Sequence, residues 1–156
     1  MKVLLKLMIG FLFALTLTGC FGEDYDVGVP TAHLYIGTFS SQLTEANISW
    51  KTASEDVQQT IDDVQELGFS QKEIKVSPEQ EVFLDFKENE DNGGDIWTDP
   101  DITVALLKDE QKIEIEMHES REFHFPSIPG NYVLEVEFTN SAGTAQYVGN
   151  VTIVNE

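Results

Sequence analysis

The chain has a single cysteine, Cys20, so no disulfide can form within it. A small domain without such a staple holds together by burial alone, and 156 residues suffice to bury an adequate core. Basic residues are scarce: 9 Lys and Arg stand against 28 Asp and Glu, and Arg121 is the sole arginine. Nucleic acid and anionic lipid surfaces are bound through clustered Lys and Arg, so neither is an expected partner. Long apolar runs are missing too. The most apolar stretch, residues 7–17, has eleven residues, well short of the roughly twenty that span a bilayer. Catalytic signatures are as sparse: the sequence holds no Gly-x-Ser-x-Gly elbow, no His-Glu-x-x-His pair and no phosphate-cradling glycine loop.

What is present begins with an export signal. Lys2 and Lys6 make a short positive region before the apolar stretch, and small residues close it in Leu17-Thr18-Gly19-Cys20. An ordinary signal-peptidase site has no need of a cysteine after the cut. Residues 1–20 resemble the lipobox region of bacterial lipoproteins. The resemblance implies that residues 1–19 are removed, that diacylglycerol joins the Cys20 sulfur, and that Cys20 becomes the N-terminus. Two acyl chains anchor stably where one is marginal, because each buried methylene contributes about 0.8 kcal/mol. The expected partner is therefore the membrane, through lipidated Cys20, and acylation also consumes the one thiol that could act as a nucleophile. Loss of Lys2 and Lys6 leaves seven basic residues against 28 acidic ones, a net charge of −21. Such charge favours solubility and attracts cations. Acidity, lysine well ahead of arginine and export without disulfides suit the outer leaflet of a Gram-positive membrane. Phe21 is not the aspartate that retains a lipoprotein at an inner membrane, which leaves an outer membrane as the alternative.

Residues 20–30 read as the lipidated Cys and a tether, and residues 31–156 as one domain. Strand signals dominate after residue 79. Val82, Leu84 and Phe86 alternate with polar neighbours, as do Ile113, Ile115 and Met117, then Phe123 and Phe125, then Tyr132, Leu134, Val136 and Phe138. This period of two sets one apolar face against a core. Residues 102–108 are more uniformly apolar, as a central strand is. Asp109-Glu110-Gln111 and Asn140-Ser141-Ala142-Gly143 supply turns, and a last strand holds Ala145, Tyr147, Val151 and Ile153, with Gly149 placed to form a bulge. Earlier, residues 33–39 and 46–51 predict strands. Between them and Phe69, Val57, Ile61, Val64 and Leu67 fall on one helical face, with Thr52 and Glu55 as a capping box and Gly68 as a C-terminal cap. That predicts a helical insertion near 53–67.

The expected fold is all-β with one short helix. Pro126-Ser127-Ile128-Pro129-Gly130-Asn131-Tyr132, the strand through Asn140 and Gly143-Thr144-Ala145 resemble bacterial immunoglobulin-like or PKD-like modules. The resemblance implies an immunoglobulin-like antiparallel β-sandwich, with Tyr132 at the tyrosine-corner position.

The most suggestive candidate site is the acidic stretch with Asn89, Asp91, Asp95, Asp99 and Asp101. Closely spaced carboxylates and amides among glycines can supply calcium's six to eight oxygens, although no Glu completes an EF-hand loop here. The alternative is a solvated connection rich in turn formers. Trp97 sits in the same stretch, either as an anchor for a protein or sugar partner or as a plug for one end of the domain. Trp50 alternates with Ile48 and is expected in the core. His118 and His124 lie on adjacent expected strands and can meet across a hairpin, with His33 or a Glu as a further metal ligand. The function expected from all this is non-catalytic: an anchored module that binds an envelope protein, peptide or component through Trp97. A calcium-stabilised domain is the alternative, and a small envelope hydrolase with convergent carboxylates is a third class.

Overall fold

The computed structural model describes residues 28–53, 55–87 and 100–155. Alternating apolar and polar side chains, many of them β-branched or aromatic, produce eleven strands in these residues, because such side chains pack well on a pleated surface. They are β1 (Thr31–Ile36), β2 (Phe39–Gln42), β3 (Thr44–Lys51), β4 (Asp56–Gln59), β5 (Glu73–Val76), β6 (Glu81–Lys87), β7 (Asp101–Lys108), β8 (Gln111–Ile115), β9 (Glu122–His124), β10 (Gly130–Asn140) and β11 (Gly143–Ile153). One helix, α1 (Val64–Phe69), lies between β4 and β5. The fold is mainly β, as the alternation predicts.

The strands form two sheets. The smaller has the order β2-β1-β6-β9, and the larger runs β4-β3-β11-β10-β7-β8. All pairs are antiparallel except one. β11 pairs with β3 along its first half and then runs parallel to β5 along its second, from Asn150↔Glu73 to Ile153↔Val76. The inner faces share one core, in which Leu34, Leu84, Phe86 and Phe123 of the small sheet meet Leu106, Leu134, Val136, Phe138 and Tyr147 of the large one. Phe86 stacks obliquely on Phe138 with ring centroids 4.8 Å apart, and the Trp50 ring lies 6.0 Å from that of Phe138. Trp50 is fully buried, as its alternation with Ile48 predicts. Burying each of these large side chains contributes roughly 1.5–3 kcal/mol.

Several sequence expectations need correction. Residues 33–39 are not one strand: Gly37, at φ 57°, reverses the chain between β1 and β2. The helix does not begin near residue 53. Thr52 and Glu55 close a hairpin turn instead, where Thr52 Oγ1 accepts from Glu55 N (3.1 Å) and Thr52 N donates to Glu55 O (2.8 Å). The same side-chain-to-backbone bond serves a cap or a turn, and here β4 follows, with Val57 opposite Trp50. The helix starts only at Val64, capped by Asp63, whose Oδ1 accepts from Glu66 N at 2.8 Å. Gly68 is not the residue after the helix but lies inside its last turn, and Ser70 is the C-cap. A Cβ at Gly68 would stand 2.3 Å from Val133 Cγ1, so glycine is what lets α1 settle on the sheet. There Val64, Leu67 and Ile61 cover Ala46, Val133 and Val148. Gly149 pairs regularly with Leu134, and the irregularity lies opposite Ala145 and Tyr147, where β3 carries the extra residue. The last residues of the expected tether are packed as well: Val29 lies against the core, Pro30 is buried, and the Tyr147 hydroxyl donates to the Pro30 carbonyl.

Candidate functional site

Among the described residues, β8 is an edge strand of the large sheet and β9 an edge strand of the small one. β8 turns back from β7 through Asp109, at φ 53°, and pairs from Lys108↔Gln111 to Val104↔Ile115. The chain then crosses to the small sheet, forming a bridge between Met117 and Phe123. A turn follows in which Arg121, at φ 64°, donates its N–H to His118 O (2.8 Å) while His118 N donates to Glu122 O (2.9 Å). Residues on both sides of this bridge line a cleft of about 350 Å³: Ile113, Glu114, Ile115, Glu116, His118, His124 and Pro126.

His118 and His124 do approach, as expected, but across the turn after the Met117–Phe123 bridge, since His118 lies beyond β8 and β8 and β9 belong to different sheets. Their rings are 6.5 Å apart and nearly perpendicular, and His124 Nε2 lies 3.3 Å from Glu81 Oε2 on β6. His33 does not join them. It sits on β1 opposite Asp85, and its Nε2 meets Thr31 Oγ1 at 3.0 Å. Among the described residues no group of three His, Cys, Asp or Glu converges as a metal-binding set. What the cleft offers is apolar, acidic and imidazole side chains beside a strand edge that pairs with no other strand among the described residues.

Behind β8, on the outer face of the large sheet, runs a chain of polar side chains. Lys112 Nζ lies 2.5 Å from Glu135 Oε2, an ion pair and that oxygen's sole partner among the described residues. Gln146 Nε2 donates to Glu135 Oε1 (2.5 Å), Asn47 Nδ2 donates to Gln146 Oε1 (2.6 Å), and Asn47 Oδ1 accepts from Ile61 N (2.8 Å). The Glu135 carboxylate, buried under this cover, holds the Lys112 ammonium and raises its pKa above the ordinary lysine value. A buried carboxylate keeps its charge only when so paired. The chain ties β8, β10, β11 and β3 to the segment that leads into α1.

Of the other candidate residues, Cys20, Asn89, Asp91, Asp95, Asp99 and Trp97 lie outside the described residues. Asp101 opens β7, is exposed, and stands opposite Thr139. The strands flanking residues 88–99 end and begin at Lys87 and Asp101, at the same end of the sheets as Thr31, which is opposite Lys87. Sequence reasoning placed Ile113 and Ile115 on a core face and Glu135 toward water. Edge position exposes Ile113, and the polar chain covers Glu135. Neither fact carries a local signal, since both depend on which strand lies beside which. No protein-family model, curated protein or solved structure significantly matches this chain.

Proposed function

We propose that this chain is a membrane-anchored, extracytoplasmic binding module, non-catalytic, built on an immunoglobulin-like sandwich and held by a lipidated Cys20. The observation that carries the module reading is the division of strands from β6 onward. β6 and β9 share one sheet, while β7, β10 and β11 share the other, which corresponds to the B–E and C–F–G division of immunoglobulin-like domains. Tyr132 supports it further. It stands near the start of β10, the F-like strand, and its hydroxyl donates to Ile128 O at 3.2 Å, the contact that defines a tyrosine corner. The anchor reading is supported by the order of charge, apolar stretch, small residues and cysteine in residues 1–20.

The test is fractionation of cells producing the full chain or Cys20→Ala, followed by cross-linking on the intact envelope. The proposal expects the parent chain in the membrane fraction, accessible from outside and cross-linked to an envelope protein or peptide. It expects Cys20→Ala to leave the lipid-anchored fraction. A chain found in the cytoplasm, or anchored equally with and without Cys20, overturns it.

A further inference from the structure

The module reading names no binding surface, and the inference here rests on it and supplies one. A sheet edge is a row of N–H and C=O groups with which an extended chain can pair. The edge strands β2, β4 and β5 have four residues and β9 has three. β8 has five, and the chain continues from it to the bridge at Met117, along the floor of the cleft. Lysine on an edge ordinarily deters such pairing. Here Lys112, although its side chain stays about half exposed, is drawn onto Glu135 on the outer face of the sheet, and the exposed Glu114 and Glu116 outnumber it along residues 111–116. Ile113, 36% exposed, and the half-buried Ile115 alternate with them and point to the apolar side.

We propose that the β8 edge accepts an extended basic peptide segment as an added strand. Main-chain hydrogen bonds to every second residue of β8 would supply affinity. Apolar side chains of the peptide would rest on Ile113, Ile115 and Pro126, and its Lys or Arg side chains would face Glu114 and Glu116. Charge selects this occupant over a second copy of the chain. Edge-to-edge pairing of two copies would bring these glutamates close to each other and one strongly acidic chain, of net charge −19, against another.

The probe is a short capped peptide of alternating Lys and Val, with an alternating Glu and Val peptide as its control. It is titrated at low salt onto the purified full chain in detergent micelles, with amide hydrogen exchange as the readout. At about ten times Kd, exchange from residues 111–116 should slow about tenfold, and the control peptide should leave it unchanged. The double variant Glu114→Lys, Glu116→Lys alters exposed side chains and should keep the parent circular dichroism while losing the protection. No protection by the Lys/Val peptide, protection at another edge, or protection that survives the double variant overturns the proposal. These outcomes leave the anchoring at Cys20 untouched, because fractionation tests that separately.

Discussion

Two tyrosines on neighbouring strands pin the chain at opposite ends of the sheets through their hydroxyls. Tyr132 donates to Ile128 O where the chain turns into β10, and Tyr147 donates to Pro30 O where it enters β1. Tyr147 is fully buried, so Tyr147→Phe leaves the Pro30 carbonyl unpaired in a buried place and should cost about 1–3 kcal/mol in urea unfolding. Tyr132→Phe should cost less, about 0.5–1.5 kcal/mol, because its bond is only partly buried. Tyr147 also sets an alkaline limit. Burial, with a smaller contribution from Glu45, raises its pKa far above the ordinary tyrosine value. Above about pH 10 an unfolded tyrosine loses its proton while the folded one keeps it, so stability falls as pH rises. Lys112 acts in the same direction: Glu135 raises its folded pKa, and the stability of that pair is lost as pH rises through the alkaline range. Urea midpoints taken at about pH 8 and about pH 11 should therefore drop steeply for the parent chain and less for Tyr147→Phe. Equal drops in the two proteins would contradict the assignment.

Among the elements, α1 depends most on its docking. Six residues make a helix too short to stand in water unaided, and at Gly68 it approaches the sheet too closely for a Cβ. Alanine is the better helix former by about 1 kcal/mol, yet Gly68→Ala should lower stability by about 1–3 kcal/mol through the clash with Val133. Gly68→Ala combined with Val133→Ala should recover part of that loss. A neutral or stabilising Gly68→Ala would mean that the helix does not rest on β10. The same element marks where sequence patterns ceased to determine structure. The strands from β6 to β11 were legible because Val82-x-Leu84-x-Phe86 and Tyr132-x-Leu134-x-Val136-x-Phe138 each put every apolar side chain on one face. Val57, Ile61, Val64 and Leu67 obey a helical spacing just as well, but Val57 faces Trp50 across a hairpin and only the later residues join α1. β5 was missed altogether: four residues become a strand only because β11 lies beside them. The approach of His118 to His124 was legible, although the strands expected to carry them, β8 and β9, fall in different sheets. The cleft they border was not, because edges arise from the order of strands in both sheets.

At the scale of the whole molecule, the chain enters at one end of the sheets, where Pro30 is bonded to Tyr147 and Thr31 faces Lys87. The start of β7 at Asp101 and the turn at Asn140 lie at this end as well. The turns at Gly37, Glu79 and Asp109 and the exposed Ile128 lie at the other. A lipid on Cys20 would therefore hold the end bearing Lys87 and Asp101 nearest the bilayer and leave the β8 edge facing sideways, open to a strand from the envelope. This arrangement depends on the anchor, and so does any role outside the cytoplasm. The intact mass of the purified mature chain tests it most directly. The account predicts a chain that begins at Cys20 and carries diacylglycerol, which disappears in Cys20→Ala. A chain that retains residues 1–19, or one that ends in an unmodified Cys20 thiol, would contradict it.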